Sequence, residues 1–143
     1  MRLASILLVD DEVPFVETMT KRLNKRGFGV LSAHTGQEAL DRLSGNREID
    51  VVILDVKMPG MDGIQTLEEI KRKFPITEVI MLTGHATVES AIEGMKLGAF
   101  DYLMKPCDME QLGAKVQAAV QRRRTHEEKI IQARMREISS RKS

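Results

Sequence analysis

Three stretches of this chain are apolar without interruption: Ile6-Leu-Leu-Val9, Val51-Val-Ile-Leu54 and Val79-Ile-Met-Leu82. A strand with one face in water alternates apolar with polar residues, so an unbroken apolar run reads as a strand covered on both faces, as in a parallel sheet flanked by helices. Around these runs the pattern recurs five times, a short branched segment followed by a longer one of helical period. The strands are expected at Ile6–Asp10, Gly29–Ala33, Val51–Asp55, Glu78–Thr83 and Phe100–Met104. Between them Phe15/Val16/Met19/Leu23, Ala39/Leu40/Leu43, Ile64/Leu67/Ile70/Phe74 and Val88/Ala91/Ile92/Met95 each repeat at three or four residues, one apolar stripe per helix with which to cover the sheet. Met109/Leu112/Val116/Ala119/Val120 supplies a fifth helix, and Ile130/Ile131/Met135/Ile138 prolongs the helical character. Punctuation agrees: Gly27 and Gly98 close the first and fourth helices, Asp62 caps the third, and Pro59-Gly60 and Pro106 interrupt the pattern just after strands.

The expected architecture is therefore α/β, a doubly wound five-stranded parallel sheet of the flavodoxin-like order 2-1-3-4-5. At 143 residues, 42% hydrophobic and 30% charged, the chain suits one domain with a single full-sized core. We place that domain at residues 1–121 and a basic, helical tail or linker at 122–143. The net charge of +1 hides the difference between them, since the tail holds eight Lys and Arg against three Asp and Glu while the body is mildly acidic. No apolar run approaches the roughly 20 residues of a membrane helix, and no signal pattern opens the chain. The lone Cys107 has no disulfide partner and no Cys or His at metal-ligand spacing, in keeping with the reducing cytoplasm.

Open parallel sheets bind ligands at the carboxyl ends of their strands. The polar residues that fall there are few: Asp10, Asp11 and Glu12 after strand 1, Asp55 after strand 3, Thr83 after strand 4 and Lys105 after strand 5. In the order 2-1-3-4-5 the first and third strands flank the switch point, which gathers Asp10, Asp11 and Asp55 around one crevice. Carboxylates so crowded repel unless some are protonated or a cation lies among them. A donor set made only of oxygen favours a hard ion, Mg²⁺ or Mn²⁺, over zinc. Mg²⁺ commonly shares its shell with phosphate oxygens, and Lys105 and Thr83 are suited to hold a phosphoryl group by charge and hydrogen bond. Asp55 is the carboxylate placed to attack phosphorus and form an acyl phosphate.

Each residue also has a plainer role open to it. Asp10-Asp11-Glu12 could cap the first helix, Asp55 could start a turn, Thr83 could cap the helix beginning near Ala86, and Lys105 could be a solvated lysine before a proline. It is their company at one sheet edge that favours chemistry. Arg122-Arg123-Arg124 could suggest nucleic acid, but no aromatic residues interleave and no recognition-helix motif follows, so direct nucleic-acid binding is not expected.

Leu7-Leu-Val-Asp-Asp-Glu12, Asp55-Val-Lys-Met-Pro-Gly-Met-Asp-Gly63, Met81-Leu-Thr-Gly84 and Tyr102-Leu-Met-Lys-Pro106 together resemble response regulator receivers of two-component phosphorelay signalling, over about residues 4–121. The run from His85 to Lys105 resembles receivers joined to nitrogen-regulation-type activators, so a fragment of a longer transcriptional regulator is a natural alternative. The resemblance implies that Asp55 accepts a phosphoryl group from a histidine kinase or phosphotransfer protein, that the chain is a regulatory phosphoacceptor and not a classical enzyme, and that Asp10, Asp11, Asp55 and the Lys57 backbone carbonyl hold the metal, Asp11 directly. It further implies that Thr83 and Tyr102 form a switch pair, that Lys57 and His85 tune hydrolysis, and that the Lys105–Pro106 peptide is cis. The new charge draws Thr83 and Lys105 toward it, and Tyr102 turns into the vacated space. That motion alters the face formed by helix 4, strand 5 and helix 5, where a partner or a second copy binds; the C-terminal helix is the other candidate for pairing.

Three other classes fit less well. An aspartate-nucleophile phosphohydrolase wants a second acid two residues after the nucleophile, where this chain has Lys57. A flavin carrier needs aromatic residues, which make up 3% here, and a hydroxyl-rich loop after strand 1. A P-loop enzyme needs a Gly-x-x-x-x-Gly-Lys that is missing.

Overall fold

The computed structural model describes residues 3–56, 62–84 and 87–142. Five strands, β1 (Ser5–Val9), β2 (Gly29–Ala33), β3 (Val51–Leu54), β4 (Glu78–Thr83) and β5 (Asp101–Met104), alternate with five helices, α1 (Val13–Lys25), α2 (Gly36–Gly45), α3 (Gly63–Lys73), α4 (Val88–Lys96) and α5 (Met109–Lys142). The strands form one parallel sheet in the order β2-β1-β3-β4-β5, as the sequence pattern predicts.

The unbroken apolar runs are explained by two cores, one on each face. Leu7, Val9, Val52, Leu54, Val79 and Met81 point into the first, with Ala39, Leu40 and Leu43 of α2 and Leu67 and Ile70 of α3. Their neighbours Ile6, Leu8, Val51, Ile53, Ile80 and Leu82 point into the second, with Val16, Met19 and Leu23 of α1 and Leu112, Val116 and Ala119 of α5. Each strand residue thus alternates between two dry interiors, and nearly every strand position must be apolar. Burial of these side chains, each contributing about 1.5–3 kcal/mol, is the main force holding the layers together.

Helix boundaries follow local chemistry. Asp62 accepts from the Gln65 N–H at 2.8 Å while the Gln65 side chain accepts from the Asp62 N–H at 3.2 Å, a reciprocal capping box that starts α3. Gly27 and Gly98, at φ 90° and 104°, end α1 and α4 in a conformation that a Cβ would strain. Gly63 lies so close to the Asp55 carbonyl and the Val56 Cα that a Cβ there would collide with backbone, so α3 can begin tight against the end of β3 only with glycine. The Lys105–Pro106 peptide is cis.

Two expectations need correction. The strands β1, β3 and β5 are each offset or shortened by one residue, so Asp10 and Asp55 stand just past strand ends, although their N–H groups still bond to Ala33 and Val9. More consequentially, the apolar stripe of α4 does not cover the sheet. Val88, Ile92 and Met95 are 77%, 50% and 46% exposed, and Gly94 is the buried residue of α4, packed against the Met81 sulfur. The helical period is present, but the helix approaches the sheet on its glycine side, where backbone can come close, and its larger side chains face outward beside the exposed Met104.

α5 is one continuous helix of 34 residues, so a boundary at residue 121 falls inside it. Arg122, Arg123 and Arg124 are bound to the body of the domain at the amino ends of the strands. Arg122 Nε lies 3.0 Å from Glu78 Oε2, Arg124 Nη2 lies 3.1 Å from Asp50 Oδ2, and Arg123 donates to Glu127 at 2.7 Å and to the Arg47 carbonyl at 2.8 Å with Asp50 Oδ1 at 3.5 Å. Asp50, Glu78 and Arg123 are buried. Among the described residues no helix is long and apolar enough to cross a membrane.

Candidate functional site

The carboxyl edge of the sheet brings together acids from two loops. Asp10 follows β1 and is buried, Asp55 follows β3 and is buried, and Asp11 is exposed; each offers an oxygen, and the three lie within 4.8 Å of one another. Lys105 arrives from the end of β5, its Nζ 2.6 Å from Asp10 Oδ2 and 3.4 Å from Glu12 Oε1. The ring of Phe15, on the first turn of α1, lies under the ammonium at 4.0 Å from its centroid, a cation–π contact that fixes the lysine over the crevice.

The electrostatics are uneven. Burial pushes the Asp10 carboxyl above its ordinary value, and the charge of Asp55 adds to the rise, against the lowering effect of the Lys105 hydrogen bond and the Glu12 N–H. Burial also works against the Lys105 ammonium, yet hydrogen bonding to Asp10 and the charges of Asp10, Asp55 and Glu12 hold it above the usual lysine value. Burial dominates the first shift, whereas negative charge around the ammonium outweighs burial in the second; in both, the negative charge of Asp55 adds to the rise. A divalent cation would offset that charge, and the donors present, all carboxylate oxygens, are those of a hard-ion site.

The plainer roles are taken up only in part, by the acids at the start of α1 and not by Thr83. The N-cap of α1 is Glu12, with no side-chain cap hydrogen bond, and Asp10 Oδ1 accepts from the Glu12 N–H at 2.9 Å. Thr83 is buried at the end of β4, whereas the cap of α4 is Thr87. Tyr102 is half-buried on β5, opposite Met81, and its hydroxyl lies 3.1 Å from Ser90 Oγ on α4. Lys57 and His85 lie outside the described residues, and so does the Lys57 carbonyl.

Sequence reasoning did not pick out Phe15, His34 or Ser90. His34 Nδ1 is 2.9 Å from the Asp10 carbonyl, reached from the end of β2, the strand beside β1. Position at a strand's carboxyl end was a usable signal for His34. No spacing rule could have found Phe15, which was assigned to the core stripe of α1, or Ser90, whose partner is 12 residues away.

Comparison with known proteins agrees with this geometry. The family described as response regulator receiver domain matches residues 6–117. The transcriptional regulatory protein ZraR of Escherichia coli O157:H7 is 40% identical over 115 residues, covering 80% of this chain and 26% of that protein. The DNA-binding transcriptional regulator NtrC of Klebsiella pneumoniae is 35% identical over 113 residues, covering 79% of this chain and 24% of that one. The chain therefore spans about a quarter of the length of these relatives. A crystal structure of a response regulator receiver domain protein from Clostridium thermocellum superposes with a TM-score of 0.82 at 40% identity, covering 86% of this chain and 98% of that one. Sheet order, acidic crevice and matched motifs converge: the chain belongs to the response regulator receiver family and is a receiver domain of two-component signalling.

Proposed function

We propose that Asp55 of this chain accepts a phosphoryl group from a phosphohistidine on a sensor histidine kinase or phosphotransfer protein. The observation that carries this reading is the crevice itself, three carboxylates within 4.8 Å at a sheet edge with one ammonium 2.6 Å from Asp10. As the Asp55 oxygen bonds to phosphorus, the P–N bond to the donor imidazole breaks. Lys105 and Thr83 hold the arriving oxygens, and water later releases the group as inorganic phosphate. Asp10, Asp11 and Asp55, with the Lys57 carbonyl, are the ligands for Mg²⁺ or Mn²⁺, which supplies charge neutralisation for the transferring group when bound. Lys57 and His85 tune how fast that group is hydrolysed. The chain acts as a switch and catalyses only its own phosphorylation and dephosphorylation, in the cytoplasm, where its free Cys107 stays reduced.

Incubation with a small-molecule phosphodonor tests the reading by intact mass. One phosphoryl group is expected with Mg²⁺ and none with excess chelator; uptake that ignores the metal overturns the metal assignment, and no uptake in any condition overturns the phosphoacceptor reading.

A second reading, that the chain is the regulatory part of a longer transcriptional regulator, is favoured by its matching about a quarter of ZraR and NtrC. Nucleic-acid contact would then belong to the output part, since Arg122, Arg123 and Arg124 are bound to the domain's own acids. The outward face of α4 and β5, carrying Val88, Ile92, Met95 and Met104, is the surface proposed for a partner or a second copy, with Ile131, Met135 and Ile138 of α5 as the other candidate. Light scattering before and after phosphorylation separates them. A doubling of mass lost in Ile92→Glu assigns the α4 face, one lost in Ile131→Glu assigns the helix, and a monomer throughout rules out pairing.

A further inference from the structure

Tyr102 does not stand alone on its strand. Its hydroxyl meets Ser90 Oγ at 3.1 Å, and Ser90 is the third residue of α4, where it forms half of a capping box. The Thr87 N–H donates to Ser90 Oγ at 3.1 Å, the Ser90 N–H donates to Thr87 Oγ1 at 3.0 Å, and the Ser90 hydroxyl lies 3.0 Å from the Thr87 carbonyl. A serine hydroxyl has one proton and two lone pairs. With its proton on the Thr87 carbonyl, its oxygen faces the Thr87 N–H, the Thr87 hydroxyl at 3.1 Å and the tyrosine hydroxyl, so Tyr102 shares the same acceptor that serves the cap. The ring therefore cannot leave this position without removing a hydrogen bond from the group that starts α4. Lys105 is meanwhile committed to Asp10, so the latched arrangement coincides with the resting position of the site.

We infer that Ser90 is a positioning residue of the switch, a latch that ties the rotamer of Tyr102 to the N-terminal cap of α4. The inference rests on the phosphoacceptor reading and adds how the tyrosine's motion reaches a helix. When Tyr102 turns away, Ser90 loses that hydrogen bond, the cap loosens, and the first turn of α4, with the exposed Val88 and Ile92, changes position. Few other contacts hold this turn to the domain: of α4 only Gly94 is buried, so a single hydrogen bond at its start carries unusual weight.

The chain has one tyrosine and no tryptophan, so its intrinsic fluorescence reports Tyr102 alone. Wild type, Ser90→Ala and Ser90→Thr are compared with and without phosphodonor and Mg²⁺, following intact mass, tyrosine fluorescence and amide exchange across residues 88–96. All three are expected to gain one phosphoryl group. In Ser90→Ala the unphosphorylated fluorescence moves toward that of phosphorylated wild type, and the phosphorylation-dependent change in both fluorescence and α4 exchange shrinks at least threefold; Ser90→Thr, which keeps the hydroxyl, restores both. Tyr102→Phe reduces the exchange response as much as Ser90→Ala does, and the double variant no further, as expected of two ends of one bond. A serine that only caps α4 would change exchange in every state while leaving the tyrosine signal untouched, and that result overturns the latch. Full uptake with an undiminished response in Ser90→Ala does the same. Absence of uptake in wild type overturns the phosphoacceptor reading, and the latch with it.

Discussion

Asp55→Asn is expected to take up no phosphoryl group under conditions in which wild type gains one, and to be the more stable protein in metal-free buffer. Asn offers an amide where the attack requires an anionic oxygen, so the loss of uptake is complete rather than partial. The gain in stability has the opposite origin. Asp55 is buried within 4.8 Å of Asp10 and Asp11, and among the described residues Lys105 faces them from the cationic side. Removing one like charge from such a group relieves repulsion on the order of 1–2 kcal/mol, and chemical denaturation measures it. Added Mg²⁺ should stabilise wild type and narrow the gap, because the cation offsets the same repulsion. Equal stability of the two proteins in chelator would mean that the crevice is not strained by charge and holds no repulsion for a cation to offset.

Cutting the chain after residue 121 is expected to cost about 3–5 kcal/mol, whereas cutting after residue 127 should cost little, because removing one side of a buried ion pair strands the other. Arg122, Arg123 and Arg124 are the cations that α5 presents to Glu78 and Asp50, and those two acids are buried at the foot of the sheet. Asp50 would keep the Ser5 N–H at 3.1 Å and Glu78 would keep Lys71 at 3.4 Å, but each would lose its arginines. A loss on that scale is a large share of a domain's 5–15 kcal/mol. Residues 128–141 are all exposed, and removing them leaves the buried pairs intact. If chains 1–121 and 1–127 unfold at the same denaturant concentration, the arginines are ornamental to the fold and the electrostatic account of this pole fails.

The fold was legible because two dry cores impose the same demand on every strand position, and Ile6 to Val9 or Val51 to Leu54 could satisfy it in only one architecture. The acids were legible because a strand's carboxyl end is fixed by the strand, so Asp10 and Asp55 needed only the sheet order to meet. Periodicity identifies a face without saying what the face meets. For α4 it picked Val88, Ile92 and Met95, and the sheet took Gly94 instead. Composition likewise identifies charge without its partner. Arg122, Arg123 and Arg124 read as a basic run, while their partners Asp50 and Glu78 lie far off in sequence and become neighbours only when α5 runs back along the sheet. The Ser90–Tyr102 bond was invisible for the same reason, being a matter of which way two side chains on different elements turn.

α5 has a mechanical consequence. At about 1.5 Å per residue its 34 residues make a rod of roughly 50 Å, of which the exposed stretch from residue 128 stands about 20 Å clear of the domain. The arginine contacts to Asp50 and Glu78 act as its fulcrum. A tilt of about 10° at the sheet would displace the far end by about 4 Å, so a rearrangement too small to notice in the core becomes a displacement on the scale of a side chain at Ile138. Amplification of this kind needs no new contact, only stiffness, and an unbroken helix held at its base has it.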